Sequence, residues 1–392
     1  MEFLCGSKSK AEATGPQKKV VVVGGGLAGC SVLKALKGKG VAVTLVDTKD
    51  YCDWCLASPR AYVEEFAQPI CFPLAKVCEH LGASFVQGAV TKVEEKAVTV
   101  STGGSTETME CDAVVVAAGG YYANGGFWKA REAETSEALR RAGLAAERAK
   151  AEAAKSIVVV GAGLAGVEVA GEIKSKWPDK NVTLVGTFLA AASPFSAKCT
   201  EAALKKMGVV MKPGRVDVSS HANGKITTSK GEELDADVVL SCVGFVFAGP
   251  ALLAGGALAA DANLKKNGQL ICKPTLQLAT AETVFACGDI LAVPEGCFAN
   301  VGGVQHCDDT AKVVAKNVLS VISGEPAAAT FAWSKKPVTT PCMTALGPNV
   351  GIGDLGLPGP HLGLGDFMAK KVKCGDFYLG IQLKSFGKGS TW

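Results

Sequence analysis

No stretch of this chain approaches 18 uninterrupted apolar residues, so no segment reads as a transmembrane helix. Arginine-rich runs are missing too, and with a net charge of only +4 the chain has no electrostatic footprint for nucleic acid. The first 18 residues, MEFLCGSKSKAEATGPQK, are polar and basic without an apolar centre, unlike a secretory signal. Residue 2 is glutamate rather than the glycine that N-myristoylation requires, although Cys5 offers a thiol for palmitoylation. A flexible tail over residues 1–17 is expected. Histidine is scarce: His80, His221 and His361 have no partners at ligand or triad spacing, and His306 reads as a structural residue opening a helix. Disulfide patterning is also lacking. The 15 cysteines are odd in number, and Cys242, Cys272 and Cys287 lie inside apolar segments, where a thiol behaves as a small hydrophobe. A reducing intracellular compartment is expected. Cys307, Asp308 and Asp309 have no second cluster at ligand spacing, so no metal site is expected.

What the chain does have is glycine, 47 of 392 residues, and an apolar fraction of 48%. This is the composition of a soluble α/β protein with tight turns and room for two or three domains. A repeat organises it. KKVVVVGGGLAGCSVLKALKGKGVAVTLVD (18–47) and AKSIVVVGAGLAGVEVAGEIKSKWPDKNVTLVG (154–186) each read as strand, glycine turn, helix, strand. The strands are continuous valine-rich runs, as expected for parallel strands covered on both faces. Each turn carries G-x-G-x-x-G: Gly24, Gly26 and Gly29, then Gly161, Gly163 and Gly166. The first glycine turns the strand, the second admits a pyrophosphate to the backbone, and the third lets helix and strand pack closely. The helix N-terminus then offers free N–H groups to the phosphates. One such motif is weak in a glycine-rich protein; two in the same strand–turn–helix context are strong.

The copies differ where chemistry requires it. The first unit ends in Asp47, placed to accept hydrogen bonds from a ribose; the second ends in Gly186, with Thr187 beside it. Without the carboxylate, nothing there bars a 2′-phosphate, and no arginine replaces it to attract one. Three further segments, CDAVVVAAGG (111–120), ADVVLSCVGF (236–245) and TVFACGDI (283–290), are strands ending in glycine turns. Taken singly each is an ordinary strand end; their order makes them landmarks.

That order resembles the two-dinucleotide-fold flavoprotein reductases, and within them the apoptosis-inducing-factor-like, ferroptosis-suppressor type of NAD(P)H:quinone reductase. The likeness runs from about residue 18 onward through LVDTKDYCDWCLASPRAYVEE, VVVGAGLAGVEVAGEIKSKWPDKNVTLV and MTALGPNVGIGDLG. It implies FAD on the first fold and NADH or NADPH on the second. It places Gly24, Gly25, Gly26, Leu27, Ala28 and Gly29 on the FAD pyrophosphate, Asp47 on the ribose, and Val90 at the adenine. Arg60 would lie against the flavin, and Gly288 with Asp289 would hold its ribityl chain. Gly161, Gly163 and Gly166 would cradle the nicotinamide nucleotide. Glu168 near the nicotinamide and Lys373 in the C-terminal region are the implied catalytic residues. The chain departs from the family's usual turns at AAGG (117–120) and CVGF (242–245).

The expected architecture is α/β, with two Rossmann-like dinucleotide-binding domains and a small α+β C-terminal domain. The FAD domain spans 18–120 and 265–325, the NAD(P)H domain is inserted at 121–264, and the C-terminal domain covers 326–392. The resemblance implies a quinone acceptor and peripheral membrane contact; the apolar, glycine-rich stretch 337–371 ending in lysines fits a lipid-facing surface and equally a β-rich packing domain. A homodimer or a place in a larger assembly is compatible with the sequence. Rival readings are a dithiol reductase, a monodehydroascorbate or ferredoxin reductase, and a non-catalytic flavoprotein subunit. The dithiol reading turns on Cys52 and Cys55 after the first acidic residue. Flavin disulfide reductases commonly space this pair Cys-x4-Cys and supply a His-Pro-Thr-type base; both are lacking here, so a packing role is expected.

Overall fold

The computed structural model describes residues 16–66, 69–189, 193–298, 303–335, 342–354, 364–380 and 385. Most of the expected tail, with Cys5, lies outside them, as do parts of the apolar stretch 337–371 and His361.

The valine-rich runs become the inner strands of two parallel sheets. The first sheet runs Val284–Ala286, Ala113–Val116, Lys19–Val23, Ala42–Asp47, Ser84–Gln87. Every pairing in it is parallel. The second runs Val209–Lys212, Asn181–Val185, Ser156–Val160, Val238–Ser241, again wholly parallel. In each, the strand that enters the glycine turn sits inside the sheet. Val20 to Val23 and Ser156 to Val160 are buried throughout, which is why these stretches do not alternate in polarity. An antiparallel meander, Ala89–Glu94, Ala97–Thr102 and Ser105–Glu110, fills the crossover from Ser84–Gln87 to Ala113–Val116.

A short antiparallel ladder joins the sheets. Gly120–Tyr122 carries the chain out of the first sheet, and Phe245–Phe247 pairs with it on the way back. The segments AAGG and CVGF thus end in the connection between the sheets. The late strand Val284–Ala286 then completes the first sheet's edge.

The C-terminal part contributes a hairpin, Cys342–Ala345 with Gly351–Asp354, a helix Leu364–Met368 and a stretch of π-helix Ala369–Cys374. It packs on the second glycine helix, Leu164–Lys176. The approach is close: a Cβ on Gly171 would stand 2.6 Å from Leu346 Cα. Trp54, wholly buried beside the first sheet, donates from Nε1 to Phe377 O at 2.8 Å. The C-terminal segment is therefore tied to both folds by hydrogen bonding and packing. The fold is mixed α/β with two dinucleotide-binding sheets.

Candidate functional site

The two glycine turns are near copies. Gly24 and Gly161 both have φ of +105°, a backbone that side chains disfavour. Their N–H groups donate to Val46 O at 2.8 Å and Val185 O at 2.7 Å. Gly26 and Gly163 cap their helices in extended conformation, with nothing within 4 Å of an added Cβ. Open space there leaves the backbone free for a phosphate. Gly29 and Gly166 meet their own turns so closely that a Cβ would stand 1.9 and 1.8 Å from the carbonyls of Gly24 and Gly161. Both copies thus share a turn in the left-handed region, an open helix start and a close helix–turn approach. The hydrogen-bond equivalence also aligns Asp47 with Gly186, each following the strand residue that receives the turn's N–H.

A single cavity of about 1540 Å³ opens from the first turn. Gly24 to Ala28, Asp47, Val90 and Asp289 line it, bringing together side chains and turns from distant parts of the chain. Asp47 accepts from Gly25 N at 2.6 Å and from Lys49 N at 2.8 Å, so its carboxylate is held facing the turn. Gly288 lies behind the wall, where a Cβ would meet that of Ala28 at 2.6 Å.

Lys129, which carries no motif, is also part of the lining. Its ammonium reaches Asp289 at 3.2 Å and lies 4.6 Å from the centre of the Phe245 ring. Burial works against its charge, but Asp289, with Cys55 and Tyr122, outweighs that and holds its pKa above the usual lysine value. Lys129 therefore links the late-strand aspartate to the ladder between the sheets.

The two residues expected to be catalytic are brought into contact. Lys373 Nζ lies 2.6 Å from Glu168 Oε1 and donates to Met343 O at 2.9 Å. Glu168 also accepts from Ala345 N at 3.0 Å. Both side chains are largely buried, and Lys373 reaches the cavity wall beside Met343 and Tyr378. Its position depends on the π-helical stretch, a local widening often found at functional sites. Phe377 and Tyr378 follow with φ of 53° and 64°, two successive left-handed residues that turn Tyr378 toward the cavity.

Arg60 departs from expectation. It is absent from the cavity lining; its guanidinium donates to Glu172 Oε2 and Oε1 at 2.5 and 2.8 Å and to Cys374 O at 3.2 Å. With 4% and 1% of the two side chains exposed, this is a buried, bidentate pair. The reason is the short helix Ser58–Val63, which packs against the second glycine helix and turns Arg60 toward Glu172 on it. Burial raises the Glu172 pKa, and Arg60 opposes that only in part.

The Cys-x-x-Cys pair is split. Cys52 lies on a buried strand, its thiol driven well above the ordinary range by its hydrogen bond with Cys30 and by burial. Cys55 lines the cavity, and burial pushes its thiol up to about 11. Both thiols are free. Of the acidic pair after Cys307, Asp308 accepts from Ser31 and Asp309 pairs with Lys312.

The cavity fits a dinucleotide: an open glycine turn and helix N-terminus at one part, an acidic residue held beside it, and a second acidic residue at the end of a late strand. Two successive dinucleotide folds sharing a connecting ladder define a flavin- and pyridine-nucleotide-linked oxidoreductase. The chain belongs to the pyridine nucleotide-disulphide oxidoreductase family, whose model matches residues 18–311. FAD and NAD(P)H are its cofactors.

The chain is similar to ferroptosis suppressor protein 1 of Xenopus tropicalis, 28% identical over 405 residues that cover 98% of this chain and 99% of that protein. Among solved structures it resembles an NAD-dependent persulfide reductase from A. fulgidus, with a TM-score of 0.62 at 21% identity. That match covers 80% of this chain, which spans 60% of the reductase's length. It also resembles the sulfide:quinone oxidoreductase of Aquifex aeolicus, TM-score 0.63 at 18% identity, covering 79% of this chain and 78% of that one.

Proposed function

We propose that this chain is an NAD(P)H:quinone oxidoreductase, with the FAD domain at 18–120 and 265–325, the NAD(P)H domain at 121–264 and a closing C-terminal domain at 326–392. The Glu168–Lys373 pair carries the reading. It couples the second glycine helix to the C-terminal segment at the wall of the cavity that the first fold opens. FAD held at the first glycine turn, Asp47 and Asp289 would supply hydride acceptance from NAD(P)H and two-electron transfer to the acceptor. The protein's part is to position and to supply charge. Glu168 and Met343 O hold the Lys373 ammonium in place, giving the cavity wall a fixed positive charge beside which a carbonyl oxygen could gain charge. Phe247, Leu252, Met343 and Tyr378 supply an apolar wall on which a quinone ring can pack.

Peripheral membrane contact fits the surface of the C-terminal segment. Phe367 and Met368 are exposed beside Lys370 and Lys371, a pairing of apolar and basic groups suited to anionic lipid. Among the described residues no helix is long and apolar enough to cross a membrane.

One observation favours a second reading. Cys55 lines the cavity, as a thiol would in an enzyme that reduces disulfides or persulfides. Against it, Cys52 is buried away, and the Cys55 thiol is protonated at neutral pH. The deciding experiment is anaerobic reduction of the flavin by NADH and NADPH, followed by stopped-flow reoxidation with a ubiquinone analogue, a disulfide and ascorbyl radical. Reoxidation by the disulfide alone, lost in Cys55→Ala, would reject the quinone reading.

A further inference from the structure

The helix Gly303–Ile322 begins at the cavity, which Gly303, Val304, Gln305, His306 and Cys307 line in succession. His306 is only 8% exposed. Its ring packs against Phe331 and Trp333, with centroids 5.6 and 5.7 Å away. Thr310 Oγ1 donates to its carbonyl at 2.7 Å and itself accepts from Gly288 N at 3.3 Å. The residue is therefore fixed both through its ring and through the turn that presents Asp289.

Despite this, the ring's Nδ1 is buried with no hydrogen-bond partner among the described residues. Native proteins seldom leave such a nitrogen unpaired, because the bond it makes to water in the unfolded chain is not replaced. The unpaired atom belongs to a side chain that lines the cavity, so the missing partner is sought in what the cavity binds. Burial lowers the imidazole's pKa, while Asp289, a hydrogen bond to the Gly288 backbone and Asp309 oppose the shift. The ring is then neutral at pH 7, with one nitrogen donating and the other accepting.

We propose that His306 is a positioning residue for the flavin, its Nδ1 hydrogen-bonding a polar atom of the FAD that Asp47 and Asp289 hold in the same cavity. The proposal rests on the flavin reading of that cavity and assigns His306 a place in it beyond packing. A purely structural role predicts the opposite ranking of two substitutions. His306→Phe keeps a flat ring against Phe331 and Trp333 but removes the nitrogen. His306→Gln keeps polar capacity and gives up the ring.

The test uses the purified holoenzymes. Loss of FAD after dilution is followed by the rise in flavin fluorescence, and the visible bands of the bound flavin are recorded for each variant. His306→Phe should release FAD about tenfold faster, the loss of one hydrogen bond. It should also shift the flavin bands, whereas His306→Gln stays close to the parent in both. Parental release from His306→Phe, or faster release from His306→Gln than from His306→Phe, overturns the proposal. A parent that purifies without flavin overturns the cavity reading, and this inference with it.

Discussion

Asp289 shares its carboxylate with Lys129, so substitution there acts on two charges at the cavity wall. Asp289→Ala removes a charged hydrogen-bond acceptor, a loss of roughly ten- to a hundredfold in affinity for the group it holds. The expected outcome is a protein that purifies with little FAD, read from the flavin-to-protein absorbance ratio; an unchanged ratio rejects the assignment. Cys55 makes a prediction of the opposite kind. Burial raises its pKa to about 11, so at neutral pH the thiol is protonated, and its reactive thiolate appears only as pH climbs toward that value. Alkylation of Cys55 by iodoacetamide, followed by mass spectrometry, should still be accelerating at pH of about 10. A plateau near the ordinary thiol range would reveal an activated cysteine. Cys55→Ala is accordingly expected to reduce quinone at near the parental rate.

Among the elements, the glycine helices offer a matched pair of tests. A methyl group on Gly29 or Gly166 collides with the carbonyl of its own turn, so the helix must shift away from its strand. Displacements of this size cost on the order of a hundredfold in a positioned reaction. Gly29→Ala should diminish FAD content. Gly166→Ala should leave FAD bound and slow flavin reduction by NAD(P)H, as stopped-flow absorbance would record. If both variants show the same defect, the two turns do not serve separate nucleotides. The strand end Asn181–Val185 governs the choice of nucleotide in the same way. Gly186 is a poor place to install a carboxylate, since a Cβ there would stand 2.7 Å from Ala162 N. Thr187 is exposed and free of that conflict. Thr187→Asp should lower kcat/KM for NADPH more than for NADH, by about tenfold or more through repulsion of the 2′-phosphate. Equal losses with both nucleotides would place the discriminating charge elsewhere.

At the scale of the molecule, the first fold, the second glycine helix and the C-terminal segment meet at Arg60, Glu172 and Cys374 O. Removing one partner strands a buried charge. Arg60→Met and Glu172→Gln should each destabilise the protein by roughly 3–5 kcal/mol, and the double substitution by clearly less than their sum. Urea unfolding followed by tryptophan fluorescence measures this; additive losses would show that the pair acts independently. Much of the architecture is legible in the chain, because strand, glycine turn and helix lie within a short span whose spacing is itself the structural requirement. The valine runs, the two G-x-G-x-x-G turns, Asp47 and the missing carboxylate at Gly186 are all local features. Other features arise from the meeting of distant segments. Arg60 reads as a flavin contact until packing turns it to Glu172, and Cys52 and Cys55 read as a pair until a buried strand and the cavity wall separate them. Lys129, in an irregular segment without a motif, gains its meaning only beside Asp289. His306, with no partner at recognisable spacing, becomes notable once the cavity is seen beside it. A side chain's neighbours depend on where remote elements pack, and residue spacing along the chain carries no record of that direction.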